Sequence, residues 1–330
     1  MNTQIVLASR PIGEPTLNDF RTVSTAIPKP AAGEVLLATK FLSLDPYMRG
    51  RMSATKSYAE PVALGGVMVG QTVSEVLESA DPTYRTGEIV LSANGWQTHA
   101  VAPGKTLRKL DAEIAPVSYA LGILGTPGKT AYCALLDIGR PKPGETVVVS
   151  AASGAVGSVA GQIAKIKGCR VVGIAGSDEK CTYVTDVLGF DQCINRRKAD
   201  LPKALAQVCP NGIDVYFDNT AGTILTAVLG LINVGARIPL VGLIEHYNAT
   251  ALPAGPYLGP LLTNRAKIEG FLVSDHSAHS AAFARDVAGW MRDGKLHYKE
   301  DVLDGLDKAP QGLIGMLRGE NFGKLIVRVS

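Results

Sequence analysis

Aromatic residues make up only 6% of this 330-residue chain, and its charges nearly cancel, 33 Lys and Arg against 30 Asp and Glu. A formal net charge of +3 supplies neither the basic face that nucleic acid or an anionic membrane surface needs nor a long acidic tail. Cysteine is sparse and shows no paired pattern. Cys133, Cys169, Cys181, Cys193 and Cys209 contain no C-x-x-C spacing, which argues against a zinc ribbon or a thioredoxin-type redox pair and fits a reducing, cytoplasmic setting. The start has no secretory h-region, because the apolar run Ile5 to Ala8 is followed at once by Arg10 and Pro11. Long apolar runs are missing too: the longest uncharged stretch, Thr146 to Ala164, is broken by Ser150, Ser153, Gly154, Gly157, Ser158 and Gly161. No membrane span is expected there.

What is present is the composition of a globular protein with a large core, 46% hydrophobic, with 36 Gly and 19 Pro to punctuate it. The length suggests about two domains. Up to about Pro116, short β-type runs alternate with turn residues: Gln4 to Ala8, Glu34 to Leu44, Val67 to Leu77, Glu88 to Leu91 and Thr106 to Leu110. After a helical stretch, Lys129 to Leu136, and the turn Gly139 to Gly144, strands and helices alternate. The strands are Thr146 to Ala151, Arg170 to Ala175, Ile213 to Phe217 and Arg237 to Val241; the helices are Val156 to Lys167, Glu179 to Leu188, Leu201 to Val208 and Ala221 to Ile232. That alternation predicts an α/β domain with a doubly wound parallel sheet. A loop rich in Pro and Gly follows Tyr247, then a strand at Lys267 to Val273, a helix from Ala281 to Met291 and a last strand, Lys324 to Val329. The last strand is expected to return to the N-terminal β unit. The domain expectation is therefore residues 1–120 completed by 290–330, with 121–289 as the second domain.

The strongest chemical signal is VVVSAASGAVGSVAGQIAKIKG, in which a β-branched strand enters a glycine turn that opens into an amphipathic helix. Ala151, Gly154 and Gly157 form an A-x-x-G-x-x-G variant of the dinucleotide fingerprint. A bare Gly154 lets the backbone approach a pyrophosphate, and Gly157 and Gly161 let the helix pack close to the strand. The second strand ends at Gly176 and Ser177 instead of the Asp or Glu that would bind a free ribose diol. Lys180 lies one turn on, and Arg196 and Arg197 follow the next strand candidate. This pattern favours NADPH over NADH, although Asp178 and Glu179 oppose it unless they serve the helix start. Gly128-Lys129-Thr130 resembles the tail of a P-loop, but the glycine that motif requires falls at Ile123, so an ATPase is not expected.

Further motifs carry a resemblance that spans nearly the whole chain. They are Leu44-Asp45-Pro46-Tyr47-Met48-Arg49, the run GAVGSVAGQIAKIKGCRVVGIAGSDEK from Gly154, Phe217-Asp218-Asn219, Gly242 to Asn248, and Gly319 to Lys324. With them the chain resembles the zinc-independent medium-chain dehydrogenases/reductases. It is most similar there to the group of leukotriene B4 12-hydroxydehydrogenase/prostaglandin reductase, plant double-bond reductases and bacterial curcumin reductase. The resemblance implies a Rossmann-like domain beside an N-terminal, mainly β, GroES-like catalytic domain. It implies NADPH held by Gly154, Ala155, Val156 and Gly157 at the pyrophosphate and by Lys180 at the 2′-phosphate, where the residues themselves add Ser177 and Arg196 as candidates. Asn219 and Asn321 would reach the nicotinamide half, flanked by Val241, Gly242, Phe271, Leu272 and Val273. It also implies a homodimer. Where relatives commonly place Tyr after an Asn, this chain has Asn195 then Arg196. Zinc relatives draw Cys and His ligands from the N-terminal domain, but this chain has no Cys before Cys133 and only His99 there, so no metal is expected.

The reaction so implied is hydride transfer to the β-carbon of an α,β-unsaturated ketone or aldehyde, which leaves negative charge on the carbonyl oxygen. Tyr247 is the candidate donor to that oxygen, because a phenol with a pKa of about 10 is neutral near neutral pH. Tyr47 is a candidate for lining the substrate pocket. Plainer roles stand beside these: Tyr247 packing at a strand end, Tyr47 in a turn fixed by Asp45 and Pro46, Lys180 as a solvated surface residue. His246, His276 and His279 are expected to be loop or surface residues. A zinc-free quinone oxidoreductase is the enzymatic alternative, and a non-catalytic NADPH-binding protein is the alternative of another class.

Overall fold

A computed structural model describes all residues except Ile114, Leu252 and Ser330. The chain opens with an antiparallel pair, β1 (Asn2–Leu7) and β2 (Phe20–Thr25). β3 (Glu34–Ser43), the short α1 (Tyr47–Arg51), β4 (Thr72–Ser79), β5 (Ile89–Ser92), β6 (His99–Pro103) and β7 (Arg108–Lys109) follow. The run expected as a strand from Val67 joins β3 only at Thr72; before that Val67 bridges Val6 of β1, and the Met68 N–H donates to the Ile5 carbonyl at 3.0 Å. Between the two pairings lies Gly70, where a Cβ would meet the Leu42 side chain at 2.7 Å, so the chain crosses close over β3 there. β2 and β6 have no counterpart among the sequence expectations.

Next comes α2 (Thr126–Cys133), which runs into a π-helical turn, Ala134–Gly139. The alternating part comprises β8 (Thr146–Ser150), α3 (Gly157–Ile166), β9 (Arg170–Ala175), α4 (Asp178–Asp186), β10 (Gln192–Asn195), α5 (Leu201–Val208), β11 (Ile213–Phe217), α6 (Gly222–Leu229) and β12 (Ile232–Leu240). α7 (Gly259–Thr263), β13 (Lys267–Gly270) and α8 (Ser280–Arg292) complete it. Among the described residues its sheet has the order β10-β9-β8-β11-β12-β13, and every pairing is parallel. Renumbered from β8 this is 3-2-1-4-5-6, the doubly wound dinucleotide-binding order, with its switch point between β8 and β11. Val148, Val172, Ile174, Tyr216, Ile224 and Val228 share one core cluster in which α6 covers the sheet.

The chain ends with β14 (Glu300–Asp304), α9 (Ala309–Leu317) and β15 (Lys324–Arg328). β15 pairs antiparallel with β3, Ile326 opposite Ser43, so the last strand joins the N-terminal sheet. The chain divides into one unit of residues 1–122 with 300–330 and another of 123–299. Residues 290–299, expected with the first unit, cluster with the second because α8 continues to Arg292 and His297 exchanges hydrogen bonds with Gln162 of α3.

One buried ion pair organises the first unit around the Leu44-to-Arg49 motif. The Lys324 ammonium, its side chain only 1% exposed, donates to Asp45 Oδ1 at 2.6 Å and to the Leu44 carbonyl at 2.7 Å. Removing one member of such a pair strands the other charge. Asp45→Ala should cost about 3 kcal/mol of unfolding free energy. Lys324→Met should cost less, because Asp45 keeps some solvent access at 18% exposure. Urea denaturation of both variants tests the ranking, and equal small losses would contradict it.

Candidate functional site

β8 is buried along its whole length and ends at Ser150. There the chain turns through Ala151, at φ +49°, and the Gly154 N–H donates to the Ala151 carbonyl at 2.9 Å. α3 begins at Gly157 with no side-chain cap, and the amides of Val156 and Gly157 find no acceptor among the described residues. Unspent donors and the positive end of the helix dipole therefore face outward together. The three glycines differ in purpose. A Cβ on Gly157 would stand 2.4 Å from the Ala151 carbonyl oxygen, so the turn itself forbids a side chain there. On Gly161 it would stand 1.8 Å from the Phe190 ring, which makes this glycine a contact with the α4–β10 turn and not, as expected, with the strand. On Gly154 it would meet only the Ala151 oxygen, at 3.2 Å. The space over Gly154 is thus open to a ligand, and the donor set fits a dinucleotide pyrophosphate.

The ends of the neighbouring strands are tied to this turn. The Asn219 amide N–H donates to Ser150 Oγ at 2.9 Å, and its Nδ2 donates to the Ser150 carbonyl at 2.7 Å. The Asp218 carbonyl accepts from Val241 N at 2.8 Å and Gly242 N at 3.2 Å. A Cβ on Gly242 would stand 2.8 Å from the Asn219 carbonyl oxygen, so only glycine permits this approach of β11 and β12. Sequence reasoning did not assign Asp218 a role of its own. It is fully buried, and its Oδ1 accepts from the Tyr216 hydroxyl at 2.9 Å and the amides of Thr220 and Ala221 at 2.9 and 2.8 Å. Its Oδ2 is buried without a partner among the described residues. Burial raises this carboxyl above its ordinary value, against the pull of the two amides.

At the end of β9, Ser177 caps α4, its Oγ accepting from the Lys180 amide at 3.2 Å. Asp178, the acid that seemed to oppose a phosphate, is compensated: it accepts from Asn195 Nδ2 at 2.6 Å and from the Lys198 ammonium. Of the two arginines after β10, Arg197 lies over the strand end, its Nε 3.8 Å from where a Cβ on Gly176 would be. Arg196, the one assigned to the phosphate, has Nη1 3.8 Å from Glu245 Oε1 instead. Glu245 is a second residue that the sequence reading passed over. Its carboxylate accepts from Thr223 N and Oγ1, both at 2.8 Å, and so holds the first turn of α6 to the 3₁₀ turn Ile244–His246. A helix N-terminus met by a Glu from a later glycine-flanked run was the available signal.

Tyr247 closes that 3₁₀ turn and is half-buried. The strand expected through Val273 leaves the sheet after Gly270. Phe271 is buried and its N–H donates to the Leu240 carbonyl at 3.1 Å, whereas Leu272 is exposed and Val273 starts a 3₁₀ segment to His279. His276 and His279, expected to be plain loop residues, both meet Asp137. Leu252, in the loop after Tyr247, lies outside the described residues; the same loop contains α7 and the exposed Tyr257. In the first unit, Tyr47 opens α1 and packs against a core containing Met48, Met52 and Trp96. Desolvation, and then the charge of Asp45, raise its phenol far above the ordinary range. Asn321 Nδ2 donates to the Gly323 carbonyl at 2.9 Å, a local turn contact.

A domain model described as the N-terminal domain of oxidoreductase matches residues 3–110, and one described as zinc-binding dehydrogenase matches residues 155–288. The chain is 50% identical over 335 residues to the NADPH-dependent curcumin reductase of Escherichia coli, covering 100% of this chain and 97% of that protein. It is 40% identical over 336 residues to the NADP(+)-dependent 2-alkenal reductase of Nicotiana tabacum, covering 100% and 98%. The crystal structure of CurA from Vibrio vulnificus in complex with NADPH superposes with a TM-score of 0.96 at 52% identity, covering 99% of each chain. Zinc does not fit the first unit in spite of the second domain's description. That unit has no Cys, and His99, its one His, is engaged with Thr98 Oγ1 through Nδ1 at 3.0 Å.

Asp218 yields a pH test. With its pKa raised on folding, its contribution to stability is complete below an ordinary carboxylate pKa of about 4 and is lost as pH rises through the higher folded value. Asp218→Asn cannot lose it. Urea midpoints measured from about pH 4 to about pH 8 should show the variant gaining on the wild type as pH rises, and parallel curves would refute the assignment.

Proposed function

From a chain that belongs to the medium-chain dehydrogenase/reductase superfamily, in the zinc-independent group of curcumin and alkenal reductases, we infer an NADPH-dependent reductase of carbon–carbon double bonds in α,β-unsaturated ketones and aldehydes. The observation that carries this reading is the 50% identity, end to end, with an NADPH-dependent curcumin reductase. When bound, the cofactor supplies hydride from its nicotinamide. The remaining work falls to the chain's own groups.

Val156 and Gly157 N–H groups, with the open face of Gly154 and with Ala155, hold the pyrophosphate at the start of α3. Lys180 supplies positive charge to the 2′-phosphate beside Ser177, and Arg197 adds to it from over Gly176. Arg196 keeps a secondary part at this end, since Glu245 already engages it. Asn219 and the backbone of Val241, Gly242 and Phe271 to Val273 shape the nicotinamide side of the sheet edge, and Asn321 is assigned to the same half of the cofactor.

Tyr247 donates its phenolic proton to the carbonyl oxygen as charge develops there, which lowers the barrier to hydride addition at the β-carbon. Glu245 fixes the turn that presents it. Tyr47 lines the substrate pocket as a neutral phenol. Sparse charge along the loop after Tyr247 suits lipophilic enones. The enzyme is placed in the cytoplasm, in keeping with its unpaired thiols. It is also placed in a homodimer, for which the exposed Tyr257 and Leu262 just before the edge strand β13 offer an apolar surface. Among the described residues no helix is long and apolar enough to cross a membrane.

Tyr247→Phe should lower kcat for 3-nonen-2-one about a hundredfold while leaving NADPH affinity intact. Full activity in the variant would remove Tyr247 from the reaction. In the second test Lys180→Ala is assayed with both nicotinamide cofactors. KM should rise for NADPH far more than for NADH, and equal effects would defeat the 2′-phosphate assignment.

A further inference from the structure

Away from the glycine turn, three side chains of the second unit that can ligate a metal meet at one point. Cys133 Sγ, an Asp137 carboxylate oxygen and a His276 ring nitrogen all lie within 4.8 Å of one another. Each is placed by rigid local structure. Cys133 ends α2, and Asp137 stands four residues on in the π-helical turn, which puts both on one face. π-Turns of this kind are rare and frequent at functional sites. The carbonyls that close this one, those of Gly139 and Arg140, accept from Arg237 Nε and Nη2, both at 2.9 Å. Arg237 is held in turn by Glu145 at 3.0 and 2.6 Å.

The third side chain comes from the segment after β13. Its 3₁₀ run is broken at His276, whose backbone departs from helical geometry at φ −108°, ψ 36°. Phe271 stacks on the imidazole with ring centroids 4.6 Å apart, which fixes the ring's plane. His276 Nδ1 lies 3.0 Å from Asp137 Oδ2, and His279 Nε2 lies 3.5 Å from the same oxygen. The nearby cation Lys129 is engaged elsewhere, donating to Ser280 Oγ at 2.9 Å. Cys133 is fully buried and its thiol takes no hydrogen bond among the described residues, so the imidazole–carboxylate contact alone does not explain its place here.

We propose that Cys133, Asp137 and His276 bind one Zn²⁺ ion, with His279 or water in the fourth position, clamping the π-helical turn to the segment after β13. One thiolate, one or two imidazoles and one carboxylate are a borderline-soft donor set suited to tetrahedral Zn²⁺. Bond lengths of about 2.0–2.3 Å place tetrahedral ligand atoms about 3.3–3.8 Å apart, so a spacing within 4.8 Å needs a contraction of at most about 1.5 Å. Burial, and then the Asp137 charge, push the Cys133 thiol up to about 11. Binding therefore releases the thiol proton to solvent as the sulfur–metal bond forms. The site adjoins the segment assigned to the nicotinamide side through Phe271, which stacks on His276, but none of the proposed steps of hydride transfer uses the ion.

Co²⁺ titration of chelator-stripped, full-length protein tests the proposal by spectroscopy. One equivalent should produce a thiolate-to-cobalt charge-transfer band in the near ultraviolet together with the visible bands of four-coordinate cobalt. Cys133→Ser should abolish the charge-transfer band, and His276→Gln should weaken Co²⁺ and Zn²⁺ binding at least about tenfold. Zn²⁺ should raise the Tm of the wild type and not that of His276→Gln. Should the buried serine prevent folding, His276→Gln decides alone, since that side chain is 24% exposed and tolerates replacement. Absence of the charge-transfer band in the wild type, or tight binding unchanged in His276→Gln, would overturn the site.

Discussion

The second unit depends on how closely β8, β11 and β12 are drawn together where they end. Ser150, Asn219 and Asp218 join the three strand ends through one continuous set of hydrogen bonds, and Gly242 allows the last of them to approach because it has no side chain. Parallel strands feeding helices on both faces leave a crevice where the strand order reverses, and here that reversal falls between β8 and β11. The glycine turn after β8 can therefore spend its amides on something outside the protein only because its neighbours have already satisfied theirs. The same convergence sets where Tyr247 stands, since its turn follows β12 by a few residues and is pinned to α6 by Glu245.

This arrangement was partly legible in the sequence, and the limits have physical causes. The alternating β-branched and amphipathic runs marked β8, β9, β11, α3 and α5, because local propensity and final burial agree there. Disagreement begins where tertiary contacts override propensity. The apolar run from Ala221 reads as helix through Ile232, but the helix stops at Leu229 and Ile232 already pairs with Ile213. α9 was missed because Pro310, Gly312 and Gly315 are weak helix formers. Its stability comes from packing: a Cβ on Gly312 would meet Leu303 and Leu44 at 2.6 and 2.8 Å, so the glycine is there to bring the helix down onto the sheet.

Site residues followed the same division. The steric need for a bare Gly157 could be read because glycine in such a turn announces it, and a Cβ there would stand 2.4 Å from the Ala151 carbonyl oxygen; the same need at Gly242 was not read. Long charged side chains could not be read, since adjacent arginines on a loop differ only in which way the chain faces them. Arg196 and Arg197 have the same chemistry in sequence, and one goes to Glu245 while the other lies over Gly176. Ser177 belongs to both classes. Its hydroxyl is consumed as an acceptor by the helix cap, yet its O–H remains available as a donor, so capping and phosphate binding do not exclude each other.

The two tyrosines illustrate how environment divides labour between identical side chains. Tyr47 lies beside Asp45, whose negative charge is fixed by Lys324, and it is largely withdrawn from water. Both influences disfavour the phenolate, so this hydroxyl stays protonated and can neither accept a substrate proton as a base nor compete for one as an anion. Tyr247 stands instead on a half-buried turn of the second unit, which follows β12 and is pinned to α6 by Glu245. A donor that must meet charge as it develops needs such a fixed position, because the hydrogen bond stabilises the oxyanion only where the donor already points.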